Sequence, residues 1–475
     1  MKPYVGLGVR NRTLWEGYGL LGSYLRPLKG SDCVIEKALD FSEGYADKLC
    51  YEVEDRKRLR LLMEKEVREG KYTQAFFDDI DAAYKGAVRD IKTFWRTDLA
   101  NASAEELVGY LDRFWEIYTT TLHPMVLAIY ASDLQDAFEK ELKQALGGAP
   151  SQLELIEHTA LLLTPTRLTT VQKEEQLLVN IERGLESDRQ AALERLAREY
   201  GWFHMEYIGE PKTPADYEEL LRNRAGESGG LSPEERLADT VKRQQEFFRT
   251  HETSDFFRNL VFAMQEFLIV LDFSKADLIE GIWYARPLLE EFGRRTGLNS
   301  WIDVRFLTPD EARAHVLEGT MATEEDIRER KRRFTLILED RVITPYFGKD
   351  AEAKVAEFVE PDVAENPDEF KGQTAYPGLV RGIASVVTNA ASRDKFEQGQ
   401  ILVTVDTTTE LTSIIKKSAA IVADQGGLLS HTAIVSREFK IPCLVRTLVG
   451  TKLVNDGDEI EVDATQGIVR VLRRA

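Results

Sequence analysis

The chain has 475 residues, too many for one hydrophobic core, so two or three domains are expected. Its 43% hydrophobic and 30% charged residues are those of an ordinary globular protein. A net charge of −19 argues against a nucleic-acid partner, whose phosphates demand a basic face. The three cysteines, Cys33, Cys50 and Cys443, have no metal-ligand spacing and fit a reducing cytoplasm. No signal peptide is legible at the N-terminus, and no run of about 18 apolar residues offers a membrane span. A cytoplasmic location is expected.

Residues 32 to 350 read as helical almost throughout. Capping boxes open several helices. Ser103-Ala104-Glu105-Glu106 precedes Leu107, Leu111, Phe114, Trp115 and Tyr118 at helical spacing. Ser232-Pro233-Glu234-Glu235 and Thr308-Pro309-Asp310-Glu311 place proline at the first helical position, and Thr323-Glu324-Glu325-Asp326 is a similar acidic start. Gly147 to Ser151 and Arg224 to Gly230 break the helical pattern. These signals predict medium-length helices joined by short loops, over a domain spanning residues 1–360.

Pro361, Pro367 and Gly372 interrupt an acidic, weakly apolar stretch, and 361–373 reads as a linker. Short β-rich runs follow at 379–388, 400–405, 419–423, 441–445, 459–462 and 468–472, with helical stretches at 410–417 and 432–439. That alternation predicts a compact α/β domain over 374–475. Residues 373–475 carry a net charge of about +1, so nearly all the acidity precedes them.

The stretch from Ala419 to Pro442 carries the chemistry. It reads as strand, glycine turn, histidine, helix and a proline-marked strand start. Gly426 and Gly427 let the backbone turn sharply and come close to a ligand. Ser430, His431 and Thr432 then fall at a helix N-terminus, where unpaired N–H groups and the helix dipole favour an anion. Neutral imidazole is a good nucleophile toward phosphorus. A lone histidine after two glycines is more often a structural cap, so the motif gains its weight from context.

The context is a resemblance covering residues 374–472. Tyr376-Pro377-Gly378, Arg381-Gly382, Gly399 to Val403, Gly426 to Val435, Ile441-Pro442 and Asn455 to Ala464 resemble the mobile domain of phosphoenolpyruvate-utilising enzymes, a family that includes phosphoenolpyruvate synthase, pyruvate phosphate dikinase and rifampin phosphotransferase. The resemblance implies a swivelling phosphohistidine domain. His431 would carry the phosphoryl group, and Gly426, Gly427, Ser430 and Thr432 would cradle it. Three positions depart from the family pattern. Leu429 stands where threonine is usual, Thr408-Thr409-Glu410 lacks the usual proline, and Arg446 replaces a glycine after the Ile-Pro strand.

Neither an ATP-grasp region nor a phosphoenolpyruvate-binding barrel is recognisable in the sequence. A separate ATP-grasp-type subunit, or a phosphoenolpyruvate-dependent one, is therefore expected to charge His431, as in phenylphosphate synthase-like systems. Asp303 to Ala312, Arg328 to Phe334 and Tyr200 to His204 are similar to the helical segment preceding the histidine domain in the same family. By that resemblance the helical region would hold a small-molecule acceptor, with Trp202, His204, Tyr207, Trp283, Tyr284 and Arg286 as candidate pocket residues and His204 as a candidate base. The bland reading is helix packing for the aromatics and a solvated face for the basic helix 328–333. Mg2+ is expected to bridge phosphoryl oxygens at the partner or acceptor site, with no metal motif in this chain. The expected function is that of a phosphotransferase component. The alternative is a non-catalytic phosphocarrier or regulatory protein whose helical region docks partner proteins.

Overall fold

A computed structural model describes residues 4–11, 14–24, 38–43, 46–205, 209–224, 231–298, 300–319, 322–358, 368–388, 392, 395–405, 411–427 and 430–475. Helices dominate up to Phe358. Their spine is Asp255–Thr296, capped by Ser254 and ended by Gly297 in the left-handed conformation. Against it lie the helices Gln74–Ile91 and Ala104–Tyr130. One apolar core joins them, with Phe114, Trp115, Tyr118 and Trp15 in ring contact. The predicted capping boxes at Ser103, Ser232, Thr308 and Thr323 all form. None of the helices among the described residues is long and apolar enough to cross a membrane.

The region is not helical throughout, which corrects the expectation for 32–350. Five strands make an antiparallel sheet in the order β1-β3-β2-β4-β5: β1 Tyr4–Asn11, β2 Ala38–Glu43, β3 Ala46–Glu52, β4 Arg333–Glu339 and β5 Val342–Phe347. β4 and β5 are joined by Asp340 and Arg341, both at positive φ (50° and 63°), the backbone a tight hairpin needs. The sheet thus ties the chain's start to residues some 300 positions later, with Ala38 opposite Leu338.

The second unit holds eight strands in the order β6-β13-β12-β8-β9-β10-β11-β7. They are β6 Glu369–Lys371, β7 Gln373–Tyr376, β8 Leu379–Val386, β9 Ile401–Thr404, β10 Ala420–Ala423, β11 Cys443–Val445, β12 Glu459–Asp463 and β13 Ile468–Arg473. β8, β9, β10 and β11 run parallel, and the remaining pairings are antiparallel. β9, β10 and β11 are buried along their whole length, hence their unbroken apolar sequences. Alternate residues feed two cores. Val403 and Val422 face one, while Leu402, Ile421, Ala433 and Val435 face the other. The sheet begins at Glu369, inside the stretch read as linker; residues 361–367 lie outside the described residues.

Candidate functional site

β10 ends at Ala423, and the helix His431–Phe439 returns the chain to β11. This is a parallel crossover, and the segment between strand and helix lies at the carboxyl ends of the parallel strands, the usual place for a site in such a sheet. Gly426 has φ +92°, and a Cβ there would stand 2.7 Å from Ser430 Oγ. Glycine is therefore required twice over, by conformation and by space. Ser430 N–H donates to Gly427 O at 2.9 Å, and Ser430 Oγ caps the helix by accepting from Ala433 N–H at 3.3 Å. His431 is the first residue of that helix, so its backbone lies where helix N–H groups lack intrahelical acceptors. Its imidazole, with Leu428 and Leu429, lies outside what the structure describes. Thr432, the next residue, is fully buried.

Asp424 fixes the far side of the turn. Buried, it accepts from Thr447 Oγ1 at 2.7 Å and from the N–H and hydroxyl of Thr451. The loop so held includes Arg446 and Leu448, both left-handed, with φ 58° and 66°. Behind the histidine helix, burial pushes the Cys443 thiol up to about 12, against the Ser436 hydrogen bond and the Arg437 charge, and so keeps it protonated and inert. Sequence reasoning passed over Asp424; its signal was a carboxylate directly after a buried strand and two residues before paired glycines.

The unit is docked on the helical region through this same helix. Ile434, three residues after His431, packs against the helical core. Lys416 Nζ lies 4.0 Å from Glu175 Oε1 and 4.7 Å from the centre of the Phe439 ring. Two cavities open along the junction. One, of about 270 Å3, lies between Phe138, Leu155 and Thr159 on one side and Thr374, Ala375 and Arg437 on the other. The second, of about 230 Å3, is bordered by Arg56, Arg60 and Asp133 on one side and by Gln373 and Arg446 on the other.

The candidate acceptor residues fall elsewhere. Trp202 is buried in the helical core. His204 Nε2 lies 2.6 Å from Glu174 Oε1, which also accepts from Tyr217 OH at 2.6 Å. Burial raises the Glu174 pKa, but the His204 and Tyr217 hydrogen bonds and the His204 charge outweigh it and leave the carboxyl below its ordinary value. Trp283 and Arg286 do come together, with the guanidinium 5.1 Å from the ring centre and held by Glu210 and Glu290. Tyr284 packs at the edge of the helical core, with Lys92 Nζ over its ring. Tyr207 lies outside the described residues. None of the five described candidates borders either junction cavity. In the basic helix Glu324–Arg332, Arg328 pairs with the neighbouring Glu325 on the surface, whereas Arg330 is buried, forks onto Glu311 and donates to Phe306 O at 3.0 Å, and Lys331 pairs with Asp303.

Residues 396–467 match the family described as PEP-utilising enzyme, mobile domain. The chain is 41% identical over 121 residues to the probable phosphoenolpyruvate synthase of Archaeoglobus fulgidus, covering 26% of this chain and 15% of that protein. It is 42% identical over 133 residues to the phosphoenolpyruvate synthase of Pyrococcus furiosus, covering 28% and 16%. An uncharacterized phosphotransferase of Bacillus subtilis, YvkC, is 31% identical over 202 residues, 40% of this chain and 24% of its own. A match of that length reaches back from the strand-rich unit into the helical region. The chain thus aligns with a quarter or less of the length of these relatives. Among solved structures, one described as Thermococcus kodakaraensis aconitase X is matched over 22% of this chain and 98% of its own, at 21% identity and a TM-score of 0.19, too weak a likeness to bear on fold or function.

Proposed function

We propose that this chain, built on a mobile domain of the PEP-utilising enzyme type, carries a phosphoryl group on His431 between a separate donor and a small-molecule acceptor bound at the helical region. The observation that carries the reading is that His431 opens a helix four residues after Gly427, beyond the carboxyl end of a parallel strand. Charging is a displacement at phosphorus. A neutral imidazole nitrogen forms a P–N bond, the P–O bond to the donor breaks, and the donor oxygen leaves with the electron pair. Delivery reverses the roles. An acceptor oxygen attacks, the P–N bond breaks, and the imidazole recovers its lone pair as the acceptor's proton passes to a base or solvent.

This chain's part is positional. The helix N-terminus favours the added negative charge, and Asp424 holds the neighbouring loop. Among the described residues no three His, Cys, Asp or Glu side chains converge to hold a metal. Magnesium would bridge phosphoryl oxygens at the partner or acceptor site, and no step here is routed through it.

The test is labelling of the full chain with ATP labelled at the β or γ phosphate, with a candidate donor subunit present, and with labelled phosphoenolpyruvate in parallel. Acid-labile, alkali-stable label on the wild type and none on His431→Ala is expected. Label that persists in His431→Ala would overturn the assignment.

A further inference from the structure

The second junction cavity gathers an excess of positive charge beside the glycine turn. Four cations border it, Arg56, Lys57, Arg60 and Arg446, against two carboxylates, Asp133 and Asp136, in a chain whose net charge is −19. Arg56 and Arg60 are four residues apart on the helix Val53–Arg68 and so project from one face. Arg56 forks onto Asp133. Arg60 has only distant carboxylates, at 3.7 Å and 3.9 Å, and its Nε is buried without an acceptor. Among the described residues, Arg446 makes no side-chain hydrogen bond or salt bridge. Partial burial and then the like charge of Arg56 draw its pKa down, and Asp133 opposes them.

Two further observations tie the cavity to the histidine turn. Arg446 N–H points at Gln425 O, 3.5 Å away, next to Gly426. Gln373 Oε1, buried without a donor, is 3.9 Å from where a Gly427 Cβ would stand. Turned over, that amide offers its NH2 to the same space. Arg446 also holds φ 58°, a left-handed backbone that disfavours any residue with a Cβ. Strain of this kind persists where the side chain it presents has a use. Guanidinium groups facing each other across a cavity are the geometry that a multidentate oxyanion satisfies, and arginine matches phosphoryl oxygens in pairs.

We infer that the cavity between Arg56, Arg60 and Arg446 is a phosphoryl-anion site at the junction of the two units. It takes the phosphoryl group borne by His431 when the domain is docked, or the phosphate of a small free ligand. The first source rests on the carrier reading; the second does not.

The experiment uses the full chain, with Arg446→Gly, Arg60→Gln and His431→Ala variants. Arg446→Gly removes the guanidinium at a position whose backbone suits glycine, so the variant folds. Inorganic phosphate is titrated calorimetrically at constant ionic strength. In parallel, His431 is phosphorylated chemically with phosphoramidate and its phosphoryl ionisation is followed by 31P NMR. Phosphate binding that weakens at least about tenfold in Arg446→Gly and Arg60→Gln, and survives in His431→Ala, supports the site with a free ligand as its source. A phosphoryl pKa that rises by about one unit in the two arginine variants supports the site with His431 as its source. If phosphate does not bind saturably, or binds equally to every variant, and the phosphohistidine titrates alike in all, the inference is overturned. Failure of any donor to label His431, with phosphate binding intact, would sink the carrier reading alone.

Discussion

Lys416 Nζ stands 4.0 Å from Glu175 Oε1, and among the described residues this is the one salt bridge between the strand-rich unit and the helical region. Partly exposed pairs at that distance contribute about 1 kcal/mol or less and are weakened by salt. The ion pair alone therefore does little to hold the docked pose, which leaves the apolar contact at Ile434 as the larger contributor. Glu175→Gln is expected to shift the docking equilibrium slightly, and Ile434→Asp, which places a charge against the helical core, by roughly 2 kcal/mol. Spin labels at the exposed positions Leu185 and Leu472 report it. A distance distribution unchanged by Ile434→Asp would show that this contact does not hold the pose.

The paired glycines are expected to differ sharply. Gly426→Ala puts a Cβ against Ser430 Oγ at a left-handed position, and should cost roughly 2 kcal/mol or more and abolish labelling of His431. Among the described residues, a Cβ in Gly427→Ala meets nothing closer than 3.9 Å, and the variant should fold normally. Urea denaturation of both variants decides the matter, and equal destabilisation would contradict the geometry.

Arg446→Gly should stabilise the chain by about 1 kcal/mol through relief of its left-handed backbone, while removing a phosphate contact. A higher Tm with weaker phosphate binding is the expected pair of results. A lower Tm would mean that the guanidinium holds the junction together.

Asp277, on the spine helix, is pushed up to about 7, by burial first and then by Glu280 and Asp81, while Lys85 and Lys92 pull the other way. The unfolded carboxyl titrates near pH 4, so the folded chain binds this proton more tightly. The stability it contributes is fully present below about pH 4 and is lost as pH rises through about 7. Asp277→Asn should therefore stabilise the chain by roughly 2 kcal/mol at pH 8 and change little at pH 4. Denaturation at the two pH values checks it, and equal effects at both would refute the linkage.

Cys443, with its thiol pushed up to about 12 and its side chain fully buried, should resist iodoacetamide at pH 8 and react only after unfolding. Peptide-level mass spectrometry separates it from Cys33 and Cys50. Alkylation at the native rate of an exposed thiol would contradict the packing behind the histidine helix.

Local signals were readable where local chemistry decides structure. The capping residues Ser103, Ser232 and Thr308, the buried apolar runs of β9 and β10, and the turn before His431 are each set by neighbours within a few positions. The five-stranded sheet was hidden because its register joins Ala38 to Leu338, and because β4, a middle strand buried almost end to end, lacks the alternation that marks a half-buried strand. The junction cavity was hidden for the same reason. Arg56 and Arg446 meet only through docking, and Arg446 showed in the sequence merely as an odd residue in place of glycine.

β6 and β7, the two margins of the eight-stranded sheet, are consecutive in the chain, separated by Gly372 alone. Gly372 N–H donates to Gly467 O at 2.9 Å, and a Cβ there would strike Thr447 at 2.6 Å. One short segment thus finishes both rims, leaving margins of only three and four residues. Long open strand margins invite pairing between molecules, and short ones resist it. The eight-stranded unit thus presents little open strand margin on which another copy of itself could pair.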